Sequence, residues 1–158
     1  MKVYHGCKRE YLEEIYCPLV YNLMSKGKTL EEAIEKAQDL YNDFLNPNDN
    51  FMLQRSLDDA QMTSLKSPFI STTPSRATAR SFALSQDTKG YIYTIEAPDD
   101  LFYDFNKVRE DHSLPAHKTY GWMNELGIPI QLKYPFEIIQ IVEVSEVIEI
   151  ATVLFEKK

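Results

Sequence analysis

The chain has 158 residues, 44% hydrophobic and 26% charged, with 8 Pro and 5 Gly; that is the size and composition of a single folded domain over 1–158, and it excludes collagen-like and low-complexity material. Lys plus Arg number 17 against 24 Asp plus Glu, a net charge of -7, so there is no broad counterion-release term and general nucleic-acid binding is excluded. No apolar run approaches the ~20 residues that span a bilayer, and Met1 to Glu14 lacks the apolar core of a signal peptide.

In chain order, Met1 to Gly6 reads as a short strand closed by a glycine. Tyr11, Leu12, Ile15, Leu19 and Leu23 then recur at helical spacing, with Pro18 requiring either a late helix start or a kink near Tyr16 and Cys17. A second helix starts at Thr29, with Glu31 and Glu32 in its first turn and Leu30, Ile34, Ala37, Leu40, Tyr41 and Phe44 as its apolar stripe. The run Asn46 to Asn50 ends it by turn chemistry. Beyond residue 65 the pattern becomes strand, helix, strand over Ser67 to Thr73, Ser75 to Ser85 after Pro74, and Tyr91 to Ala97. Leu101 to Phe105, Leu126 to Leu132, Phe136 to Val144 and Val147 to Phe155 are further strand candidates. Helices first and strands later, with no repeating strand-helix unit, predict an α+β fold with N-terminal helices packed on a mainly antiparallel sheet core.

Three segments set polar groups at the ends of apolar strands. In Val3-Tyr4-His5-Gly6, the glycine lets a ligand approach the backbone, although His5 alone reads as a structural histidine. In Phe69-Ile70-Ser71-Thr72-Thr73-Pro74, three hydroxyls close a strand, either tying a sheet edge or orienting a carboxylate, ahead of a helix that carries Phe82. In Met123-Asn124-Glu125-Leu126, a carboxylate at a sheet mouth can stabilise positive charge or accept a proton, where most glutamates are simply solvated. His112 and His117 flank a Pro in a loop and lack a ligand set, so no metal is expected, and Cys7 and Cys17 are expected to be reduced and structural.

In this order, His5-Gly6, Ser71-Thr72-Thr73 before an Ala-rich helix, Gly90-Tyr91-Ile92-Tyr93, Glu125, and Tyr134-Pro135-Phe136-Glu137-Ile138-Ile139, the chain resembles the mono-ADP-ribosyltransferases, bacterial toxins of the cholera, pertussis and Neisseria type above all. The resemblance covers Met1 to Gly6 and most of 67–144. It implies a split-sheet ADP-ribosyltransferase-like fold and NAD as substrate, with ADP-ribose passed to a macromolecular acceptor, a protein by expectation. The setting it implies is that of a toxin or effector, in the producer's cytosol or delivered into that of a target cell. An immunity or host activator protein is a further expected partner. On the same resemblance Glu125 is the catalytic glutamate, with Glu137 the second choice; Ser71, Thr72 and Thr73 shore up the NAD site; Gly6 presents backbone groups to nicotinamide; Phe82 stacks on its ring; and His5 contacts the adenosine ribose. Two positions depart from the toxin pattern: His5 stands where those toxins carry Arg, as in the poly-ADP-ribose polymerase and diphtheria-like branch, and Met123 stands where arginine-modifying members carry Glu. The alternatives are an NAD glycohydrolase using the same site and a non-catalytic interaction module of the same fold. A P-loop or Rossmann nucleotide site is excluded, because no Gly-rich phosphate loop follows a strand.

Overall fold

A computed structural model describes residues 1–8, 15–62, 65–85, 88–119, 121–131, 133–146 and 152–158. Along the chain these form β1 (Lys2–Cys7), α1 (Pro18–Ser25), α2 (Leu30–Leu45), α3 (Asn50–Gln61), β2 (Phe69–Thr72), α4 (Arg76–Ala83), β3 (Lys89–Glu96), β4 (Tyr103–Asp104), α5 (Phe105–Asp111), β5 (Leu126–Pro129), β6 (Glu137–Ser145) and β7 (Thr152–Glu156). The class is α+β. One sheet has the order β1-β3-β6-β7 and the other β2-β5-β4, and the pairings of β1 with β3, β3 with β6, β6 with β7 and β4 with β5 are antiparallel.

Local chemistry explains most boundaries. Pro18 is the first residue of α1, where its missing N–H costs nothing, so the late start is the observed one. Thr29 and Glu32 form a reciprocal capping box on α2, their side chains accepting from each other's amides at 3.2 Å. Asp49 Oδ1 accepts from the Met52 amide at 2.8 Å, so the turn that ends α2 also opens α3. Ser75 caps α4, accepting from the Thr78 amide at 3.2 Å, so Pro74 lies ahead of the cap and not in the first turn. The strand predicted over Leu101 to Phe105 shrinks to the two residues of β4, because Asp104 Oδ1 accepts from the Lys107 amide at 3.1 Å and turns Phe105 into the first residue of a helix. Of the predicted elements, Tyr11, Leu12, Leu132 and 147–151 lie outside the described residues.

The chain divides into two compact units. One comprises Met1–Ile15, Thr72–Leu101 and Pro135–Lys158, the other Tyr16–Ser71 and Phe102–Tyr134. In the first, α4 lies on β1 and β3, and its core is Ala79, Ala83, Ile92, Val142 and Val144. The approach is so close that a Cβ on Gly6 would stand 1.9 Å from the Ala79 carbonyl oxygen, and one on Gly90 2.0 Å from that of Ala83. The second unit is built on an aromatic cluster: the Phe69 ring on β2 has Tyr41, Phe44, Tyr103 and Phe105 at centroid distances of 5.1 to 5.4 Å, mostly edge to face. Leu53, Leu57 and Ala60 of α3 complete that core.

Candidate active site

Ser71 and Glu125, 54 positions apart, meet inside the second unit: Ser71 Oγ donates to Glu125 Oε2 at 2.7 Å. Phe69 and Ser71 share a face of β2 by strand periodicity. Burying Phe69 in the aromatic cluster therefore fixes the register of the hydroxyl. On the other side, Gly127 of β5 lies flat against Phe69 and Phe105, whose ring atoms would sit 2.8 Å from an added Cβ. The same two rings thus set the height of both strands.

Glu125 is aimed by the residue before it. Asn124 has φ of 50°, in the left-handed region that Asn tolerates better than most residues. Asn106 of α5 stitches this bend, its Nδ2 donating to the Gly121 carbonyl at 2.8 Å and to Asn124 Oδ1 at 3.2 Å. Asn124→Gly is expected to change stability by less than about 1 kcal/mol, whereas Asn124→Val is expected to cost roughly 1–2 kcal/mol through its β-branched side chain in that region. Paired urea melts check this, and equal losses would show that the bend does not select the residue.

The carboxylate is nearly enclosed, with Glu125 6% exposed. Burial is the dominant influence and pushes its pKa up from 4.5 to about 7, against the opposing effects of the Ser71 hydroxyl, the Gln61 amide and the Arg109 guanidinium, in that order. Arg109 does little to hold the charge because its own is already matched. Its Nη2 donates to Asp58 Oδ1 at 2.6 Å, its Nε to Gln61 Oε1 at 3.0 Å, and its Nη1 to the Pro115 carbonyl at 3.0 Å, with Arg109 only 2% exposed. A hydrogen-bonded carboxyl group poised near neutrality can stabilise a developing cation or exchange a proton.

His5, Gly6, Thr72, Thr73, Phe82 and Glu137 fall in the first unit, and Met123, His112 and His117 in the second. His5 pairs in register with Tyr93, their ring centroids 6.1 Å apart. Gly6 carries the packing of α4. Thr72 and Thr73 are buried, and Thr73 exchanges backbone hydrogen bonds with Tyr4 at 2.8 and 2.9 Å. The Thr73 hydroxyl accepts from the Ser75 amide at 3.2 Å, which gives it a structural task at the entrance to α4. Phe82 is half-buried on α4. Glu137 is exposed at the start of β6 and ion-paired with Lys157. Met123 is buried. His112 closes α5, its Nδ1 2.9 Å from the Val108 carbonyl, and His117 Nδ1 accepts from the Thr119 amide at 3.1 Å. Among the described residues no group of three or more His, Cys, Asp or Glu side chains could hold a metal, neither cysteine is in a disulfide, and no helix is long and apolar enough to cross a membrane.

Sequence reasoning missed Gln61, Arg109 and Asn124. Arg109 was detectable only as a charge within Val108-Arg109-Glu110, and nothing local distinguishes it from a solvated arginine. Asn124 carried a usable signal, an Asn two residues ahead of a strand. No protein-family model matches the chain, and no curated protein matches it.

Proposed function

We propose that the protein is an NAD-dependent mono-ADP-ribosyltransferase with Glu125 as its catalytic carboxylate. The observation that carries this reading is the 2.7 Å hydrogen bond from Ser71 to the buried Glu125, of which the family resemblance gives the first to the element that shores up the NAD site and the second the role of catalytic glutamate. In the reaction, the bond from ribose C1′ to the nicotinamide nitrogen breaks. Its electron pair neutralises the pyridinium, and C1′ is left with oxocarbenium character. An acceptor nucleophile then forms the new bond at C1′ and gives up its proton. The leaving group is already cationic, so no strong acid is needed; what accelerates the step is fixed negative charge beside the ribose and a substrate held in reactive geometry. Glu125 supplies that charge and Ser71 fixes its direction. On the resemblance, NAD-binding roles fall to His5, Gly6, Thr72, Thr73 and Phe82, and the setting of the reaction is that of a toxin or effector acting on a macromolecule. With water as acceptor, the same chemistry is that of an NAD glycohydrolase.

The test is nicotinamide release from NAD by the purified protein, with and without cell lysate as a source of acceptor or activator. Wild type is expected to release nicotinamide, and Glu125→Ala, verified as folded, to lose at least about a hundredfold in kcat. Release undiminished by Glu125→Ala would move the catalytic role elsewhere. One observation favours a second reading, a non-catalytic module of the same fold: at 6% exposure, Glu125 is as enclosed as a purely structural carboxyl group. No release under either condition would select it.

A further inference from the structure

Gln61, the last residue of α3, is 3% exposed, and its two ends face different neighbours. A guanidinium only donates, so the Gln61 atom 3.0 Å from Arg109 Nε has to be the carbonyl oxygen. That choice turns Nε2 the other way. Arg109 is itself held in plane by Asp58 and the Pro115 carbonyl, and cannot rotate to release the amide. Gln61 Nε2 is buried with no acceptor in full hydrogen-bonding geometry, an unfavourable condition when nothing relieves it. The group it acts on is Glu125, whose charged form it favours. Among the described residues, the charged and titratable groups near Glu125 are Arg109 from α5, with Asp58 of α3 and His117 around that guanidinium; burial lowers the pKa of His117, so it adds little positive charge at neutral pH.

We infer that Gln61, oriented by Arg109, is a positioning residue that donates to the Glu125 carboxylate when it ionises. Its consequence for catalysis rests on the transferase reading above. Arg109 acts here through orientation, since its charge is already matched by Asp58.

The deciding measurement is a titration of the Glu125 carboxyl carbon by NMR on the full chain without substrate, in wild type, Gln61→Met and Arg109→Lys, beside the pH dependence of kcat/KM for nicotinamide release. Gln61→Met is expected to raise the Glu125 midpoint by about one unit or more, the worth of a hydrogen bond to a charged group. The low-pH limb of kcat/KM should move up equally, with the high-pH plateau restored to within about threefold of wild type. A purely structural role would lower the rate at every pH and leave the limb in place. Arg109→Lys keeps the cation but loses the Nε–H, so a midpoint that again rises supports the orientation argument. If Gln61→Met does not fold, Arg109→Lys decides alone. An unmoved midpoint in the folded variants overturns the assignment. A moved midpoint in a protein that releases no nicotinamide upholds the assignment and overturns the transferase reading.

Discussion

Glu125→Gln is expected to raise stability at pH 8 by up to roughly 3 kcal/mol, or about 5–10 °C in Tm, while abolishing nicotinamide release. The folded protein binds the Glu125 proton more tightly than the unfolded chain, with its pKa raised from 4.5 to about 7 by burial. The native state therefore holds more protons between those values, and wild-type stability falls as pH rises through that window. Gln never ionises and escapes the loss. The replacement also fits the contacts: the Ser71 hydroxyl can accept from the new amide, which frees its oxygen to face Gln61. Below about pH 4.5 both side chains are neutral, and the gain should vanish. Thermal melts of both proteins from pH 4 to 8 check this. A gain that is absent at pH 8, or that persists unchanged at pH 4, would show that Glu125 is not held in an environment hostile to its charge. The opposed signs for stability and activity separate a carboxylate kept for function from one kept for packing.

That carboxylate shows which parts of the structure were legible in the sequence. Its residue type, its place ahead of a strand and the hydroxyl run at Ser71 could all be read from local pattern. Capping chemistry at Thr29 and strand patterning over Tyr91 to Ala97 and Phe136 to Val144 likewise led to elements the structure contains. Position in sequence could not reveal what surrounds a group. Arg109 and Gln61 lie 48 positions apart, and their hydrogen bond exists only because α3 and α5 pack within one unit. Phe105 misled for a related reason: its apolar neighbours Leu101 and Phe102 suggested a strand, but a short-range hydrogen bond that Asp104 accepts from the Lys107 amide outweighs weak β-propensity over so few residues. Leu40 falls on the predicted apolar stripe of α2 yet is exposed, because its spacing matches the stripe and no neighbouring element covers it fully.

Gly6→Ala is expected to cost about 3 kcal/mol or more, the upper range for overpacking, and to lower Tm by roughly 6–12 °C. The collision is with backbone. The new Cβ would meet the Ala79 carbonyl oxygen at 1.9 Å and its carbon at 2.8 Å, so α4 has to lift away from β1, loosening Ala79 and Ala83 in the core they share with Ile92. Two companions identify the cause. Ala79→Gly should fail to rescue Gly6→Ala, because glycine keeps the offending carbonyl. Gly27→Ala meets nothing within 4 Å and has only its φ of 93° against it, so about 1 kcal/mol is expected there. Rescue by Ala79→Gly, or equal losses at Gly6 and Gly27, would mean that backbone approach is not what requires glycine at position 6. The same geometry governs how the proposed NAD contact must be tested. Gly6 has a packing role that stands without any ligand, so lost activity in Gly6→Ala says nothing about nicotinamide until the variant's fold is measured. A substitution at His5, whose ring lies beside Tyr93 one residue earlier in β1, is the cleaner probe of NAD binding from that strand.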